Sequence, residues 1–118
     1  TVLTTPPLSG TILEGVTRAS LLEVARDGVG ELGIDEVAEE PTSIEAVRAG
    51  IEDGTLLEMF ACGTAAVIVP IGELIDGVAT RTVGSGEPGA VTMTLRSALL
   101  DIQYGRVADT RGWMRTID

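Results

Sequence analysis

Apolar residues recur at helical spacing near both ends of the chain and in strand-like runs between them. Val16, Ala19, Leu22, Ala25 and Val29 lie three or four positions apart, with Leu21 and Val24 widening the stripe, which predicts an amphipathic helix. Thr17 is its expected N-cap, and Gly28, Gly30 and Gly33 mark its end. Val91, Leu95, Ala98, Leu99 and Ile102 predict a late helix with Gly105 as its stop. A shorter helix should start at the capping box Thr42-Ser43-Ile44-Glu45 and run to about Ile51.

The remaining pattern is β-like. A short exposed strand is expected near Val37, and a longer one from Leu56 to Cys62 that Gly63-Thr64 interrupts. Ala65 to Val69 is a continuous apolar run, consistent with a strand buried on both faces, and Pro70 and Gly72 close it. Asp76-Gly77 reads as a tight hairpin turn leading into Val78 to Val83. Residues Thr1 to Leu13, with Pro6 and Pro7, read as an irregular entry, and Gly84 to Gly89 as a flexible connection within one domain. The expected fold is mixed α+β, an α/β unit spanning 1–118, with helices covering one side of a mixed sheet or partial barrel.

Composition changes this picture mainly by what it removes. The hydrophobic fraction is 44% and mean hydropathy is +0.31, so the chain can bury a core, built from aliphatic residues because aromatics are only 3%. A net charge of −10 argues against a nucleic-acid binder and against anionic membranes. All eight basic residues are Arg; there is no Lys and no His. That excludes a Schiff-base lysine, a Ser-His-Asp triad and an imidazole metal site supplied by this chain. The single Cys62 suits a reducing cytoplasm, and no apolar run is long enough to span a bilayer. The start at Thr1 leads us to expect a piece of a longer protein, so a partner carrying its N-terminal portion is expected too.

Two segments could hold an anion. Gly15 immediately precedes the first helix, where unpaired N–H groups and the positive end of the helix dipole face outward, and Thr17 adds a hydroxyl. Gly63-Thr64-Ala65-Ala66 is a turn of small residues that can expose adjacent amides beside the Thr64 hydroxyl. On residue chemistry alone, an ordinary N-cap and a β-bulge are the commoner readings of these two segments. The paired carboxylates Asp35-Glu36, Glu39-Glu40 and Glu52-Asp53 read as solvated faces, Cys62 as a small apolar residue, and Trp113 as a packing anchor for the tail.

Together the segments resemble the branched-chain amino acid aminotransferases, fold-type IV enzymes that use pyridoxal 5′-phosphate. The resemblance rests on Thr5-Pro6-Pro7-Leu8-Ser9-Gly10-Thr11-Ile12-Leu13 followed by Gly15-Val16-Thr17-Arg18, and on Glu58-Met59-Phe60-Ala61-Cys62-Gly63-Thr64-Ala65-Ala66-Val67. Asp101-Ile102-Gln103-Tyr104-Gly105 and Gly112-Trp113 follow in order, so it covers nearly the whole chain. It implies that this is the C-terminal part of such an enzyme. Gly15, Val16, Thr17 and Thr64 would bind the cofactor phosphate, and Thr64 and Ala65 the substrate α-carboxylate. The implied reaction moves an amino group from Leu, Ile or Val to 2-oxoglutarate, in a complete enzyme that is a homo-oligomer. No catalytic residue falls in this chain. Glu14 stands where the family usually has Pro, which places a carboxylate next to the phosphate loop. Alternatives are a piece of a D-amino acid aminotransferase or aminodeoxychorismate lyase, and a stand-alone, non-catalytic binding domain.

Overall fold

The computed structural model describes residues 1–8, 15–64 and 67–114. Strand β1 (Val2–Thr5) is followed by helix α1 (Val16–Asp27), strand β2 (Glu36–Glu39) and helix α2 (Ile44–Asp53). Strands β3 (Phe60–Gly63), β4 (Val67–Pro70), β5 (Glu73–Asp76) and β6 (Ala79–Thr82) come next, and helix α3 (Ala90–Gln103) closes the series. The mixed α/β expectation holds. The described strands form three two-stranded sheets, β1-β2, β3-β4 and β5-β6.

β1 and β2 pair in parallel from Val2↔Glu36 to Thr5↔Glu39, with α1 in the crossover. The entry expected to be irregular therefore contains a strand. Its partner lies more than thirty residues away, and hydrogen bonds from Asp35 N to Thr1 O (2.8 Å) and Glu40 N to Thr5 O (2.9 Å) extend the pairing at both ends. The Thr1 ammonium also pairs with Asp35.

The core forms where α1 meets α3 and β4. Leu21 and Ala25 of α1, Ile34, Ile68 of β4 and Leu95 of α3 make one buried cluster, with Leu3, Leu32, Val37, Phe60, Val67 and Val91 packed around it. Aliphatic side chains dominate, as the aromatic count requires. On α1 the buried residues are Leu21, Leu22, Val24 and Ala25. Val16 is 80% exposed, Ala19 is exposed, and Val29 lies beyond the helix and is exposed. The apolar stripe therefore serves the core only in the C-terminal half of α1; the N-terminal half fronts two clefts.

α3 buries Thr92, Leu95, Leu99 and Ile102, close to the expected stripe, and Gly105 follows its C-cap at φ 70°. On α2 the cap is Ser43, whose Oγ accepts from Ala46 N at 3.1 Å, while the Thr42 hydroxyl donates to Glu40 O. The cap thus falls one residue later than the capping box implied. α2 has no buried residue and rests on the β5–β6 hairpin, where Arg81 Nε meets Glu52 Oε1 at 3.1 Å.

The two hairpins correct the β expectations. β3 begins at Phe60, because Leu57 is exposed and the Glu58 side chain is engaged with α3. In β4 only Ile68 is buried and Val69 is 46% exposed, so the strand is not buried on both faces. Asp76 pairs with Ala79, which makes Gly77-Val78 the two-residue loop, with Gly77 at φ 60° and Val78 fully exposed. The Gly84 to Gly89 connection contains no strand or helix, as expected. No helix among the described residues is long and apolar enough to cross a membrane.

Candidate functional site

α1 starts without a side-chain cap. Gly15, not Thr17, is the N-cap, at φ −77° and ψ 135°, and as a glycine it brings no side chain to accept from the first turn. No acidic residue stands within that turn either, so the turn itself brings no negative charge to its N–H groups and the helix dipole. Thr17 is the second residue of the helix, so it does not cap it. The second turn lies at the end of β3, where Gly63 pairs with Val67. A Cβ placed on Gly63 would meet nothing within 4 Å. Val67 takes a positive φ of 59°, a strained conformation for a β-branched residue at the exit of the turn.

The fold brings the two turns together. Gly15, Thr17 and Arg18 from α1 line one cleft of about 240 Å³ with Cys62, Gly63 and Thr64 from β3, and Thr5 and Pro6 close its side. The packing responsible is that of α1 against β3. Val16 lies around the corner, in a shallower cleft with Ala19, Ser20, Glu23 and Trp113 that shares Gly15 with the first. Of the predicted site residues, Gly15, Thr17 and Thr64 therefore line one cleft and Val16 borders it. Ala65, the second carboxylate-binding residue expected from sequence, lies outside the described residues, as does Glu14.

Sequence reasoning quoted Arg18 within a motif but gave it no role. Its Nη2 donates to Pro6 O at 2.9 Å and to Glu39 Oε1 at 2.7 Å, and the side chain is only 14% exposed. Its Nε is buried and meets no acceptor among the described residues. Glu39 also accepts from Arg26 at 3.0 Å. These hydrogen bonds, Arg18 first and Arg26 second, hold the Glu39 carboxyl below its ordinary pKa. At Cys62 partial burial raises the thiol pKa, against the opposing charge of Arg18.

Two further anchors were invisible in the sequence pattern. The Glu58 carboxylate reaches the start of α3, accepting from Thr92 N at 2.8 Å and Val91 N at 3.2 Å. In the tail, Asp109 accepts from Trp113 N at 3.0 Å and Met114 N at 2.7 Å, and these backbone bonds lower its pKa. Arg111 stacks over Trp113 at 5.0 Å and pairs with Asp27 and Glu23 of α1, which seats the tail beside the helix. The tail is thus tied to α1 through Arg111, which stacks over Trp113.

A cleft with two helix- and turn-borne threonines and a nearby guanidinium, and with no carboxylate among its described lining residues, fits a phosphate group. The family model for amino-transferase class IV matches residues 1–74. The chain belongs to the class IV aminotransferases. It is 53% identical over 115 residues to a probable branched-chain-amino-acid aminotransferase of Streptomyces coelicolor, an alignment covering 98% of this chain and 30% of that protein. Over 112 residues it is 45% identical to the branched-chain-amino-acid aminotransferase of Mycobacterium tuberculosis, covering 95% of the chain and 29% of the relative. Branched-chain-amino-acid transaminase 1 of Bacillus subtilis is 45% identical over 109 residues, with 92% and 29% covered. This class IV aminotransferase chain therefore spans about 30% of the length of the curated relatives it matches.

Proposed function

We propose that these residues form the C-terminal α/β subdomain of a branched-chain amino acid aminotransferase, and that the cleft between α1 and β3 holds the phosphate of pyridoxal 5′-phosphate. The observation that carries the reading is the meeting of two donor-rich turns, at Gly15–Thr17 and Gly63–Thr64, in one cleft. The amide of Val16, the hydroxyl of Thr17 and the hydroxyl of Thr64 bind and orient the phosphate. The amides of Thr64 and Ala65 receive the α-carboxylate of Leu, Ile or Val. The bound cofactor supplies an electron sink for chemistry at the substrate α-carbon. With no Lys, this chain supplies no amine for covalent attachment of the cofactor or for the proton transfer that such an amine performs. Those belong to an N-terminal portion that completes the barrel against the open outer face of β3-β4, in a homo-oligomeric enzyme. By itself the chain is inactive.

The phosphate site is tested on the chain itself by titrating ¹⁵N-labelled protein with pyridoxal 5′-phosphate and with inorganic phosphate. Amide shifts confined to Val16, Thr17, Gly63 and Thr64 are expected for both ligands; shifts elsewhere, or none, would overturn the assignment. The substrate class is tested by a chimera in which these residues replace the aligned stretch of the Streptomyces coelicolor relative. Amino transfer from L-Leu and not from D-Ala is the expected result. A folded chimera that prefers D-Ala would point to a D-amino acid aminotransferase instead.

A further inference from the structure

Glu58 ties the segment before β3 to the start of α3. It stands two residues before β3, and its carboxylate accepts the N–H groups of Val91 and Thr92 in the first turn of α3. α3 has no cap of its own: its N-cap is Gly89, with no side-chain hydrogen bond, and its first turn holds no acidic residue. Gly89 is glycine for a steric reason. A Cβ there would lie 2.0 Å from the Glu58 Cδ and Oε1 atoms. The carboxylate therefore occupies the space where a cap side chain would begin, and supplies the missing acceptor and charge from another element.

The consequence runs toward the cleft. α3 packs through buried Leu95 into the cluster that contains Leu21 and Ala25 of α1, so α3 and α1 are fixed to each other. Glu58 fixes the lead-in of β3 to α3, and the Ile71 N to Met59 O bond (2.8 Å) carries the constraint into the β3–β4 hairpin. Gly63 and Thr64 lie at the far end of the same short strand. The carboxylate thus adds a second tie, by way of α3, to the direct packing of α1 against β3 that sets the Thr64 turn beside the α1 N-terminus.

We propose that Glu58 is a positioning residue for the anion cleft, acting by locking β3 to the N-terminus of α3 so that the Thr64 turn faces Gly15 and Thr17. This rests on the phosphate reading above, and its test separates the two. Glu58→Ala removes both the cap of α3 and the tie to β3. The double variant Glu58→Ala/Gly89→Ser restores only the cap, because Gly89 already has the extended backbone a capping Ser needs and the Glu58 side chain no longer fills the space.

Thermal unfolding, amide hydrogen exchange and binding of inorganic phosphate are measured on all three proteins. Glu58→Ala should unfold at lower temperature, exchange faster at Gly63 and Thr64, and bind phosphate about fivefold more weakly, about 1 kcal/mol at ~1.4 kcal/mol per decade. The double variant should recover the unfolding temperature and the protection of the α3 amides, but neither the protection of Gly63 and Thr64 nor the affinity. Recovery of all of them would make Glu58 a helix cap and nothing more, and would overturn the proposal. So would unchanged exchange at Gly63 and Thr64 in Glu58→Ala. If wild-type protein binds no phosphate, the phosphate reading falls, and the exchange data still decide whether Glu58 sets the turn. Gly89→Ala alone should reproduce Glu58→Ala, since its methyl group displaces the carboxylate.

Discussion

Cys62 offers a direct chemical probe of the cleft, because it is the only cysteine in the sequence and lines the same space as Thr17 and Thr64. The perturbation is alkylation with iodoacetamide, which attacks the thiolate. Two influences oppose each other at the sulfur: partial burial disfavours the anion, and the Arg18 guanidinium favours it. Burial is the larger, so the pKa lies above the ordinary 9.0. Less than about 1% of the protein then carries a thiolate at about pH 7, and the rate should climb roughly tenfold per pH unit up to about pH 9. The assay is the mass increase followed over time at a series of pH values. A rate that levels off below about pH 8 would refute this balance and show that Arg18 outweighs burial. The same reaction reports on occupancy. Inorganic phosphate at about ten times its dissociation constant leaves roughly one molecule in eleven free, so alkylation should slow about tenfold if thiol and anion share the cleft. An unchanged rate at a phosphate concentration that shifts the Thr17 and Thr64 amides would show that they do not.

Three further outcomes follow from packing, capping and charge. Leu95→Ala empties the centre of the cluster formed with Leu21, Ala25, Ile34 and Ile68, and should cost about 3–5 kcal/mol in urea unfolding; a loss below about 1 kcal/mol would mean the core lies elsewhere. Ser43→Ala should cost about 1 kcal/mol, whereas Thr42→Ala should cost only a few tenths, since Ser43 caps α2; thermal unfolding that ranks them the other way would restore the capping box at Thr42. Glu39, with its pKa depressed by Arg18 and Arg26, stabilises the fold above the ordinary 4.5, and this is lost as pH falls through the lower folded value. Wild type should therefore exceed Glu39→Gln in unfolding temperature near neutral pH and converge with it below about pH 4; a constant gap across that range would contradict the pairing.

Much of the architecture was legible because it is written in local chemistry. The α3 stripe, the strand near Val37, the Gly105 stop and the helix beginning near Ser43 depend on side-chain period and turn residues within a few positions. The two donor-rich turns were also visible as Gly15-Val16-Thr17 and Gly63-Thr64, and the lysine and histidine counts fixed what chemistry this chain lacks. Errors appeared where a partner lies far along the chain. Val2–Thr5 looked irregular because its parallel mate is β2, and the run ending at Val69 looked doubly buried although in β4 only Ile68 is buried. Thr17 looked like a cap because its type suits that role, yet the cap is Gly15, two residues earlier.

The sequence by itself determined the three helices, most of the turns, the aliphatic core composition and the absence of Lys and His, all of which follow from residue type and near-neighbour spacing. Only the tertiary structure decided that the two turns meet in one cleft, that Arg18 stands in its wall, and that Glu58 caps a helix more than thirty residues away. The reason is physical: periodicity and turn propensity act over a few residues. The meeting of α1 with β3, and the reach of a carboxylate across a glycine, depend instead on how the whole core packs.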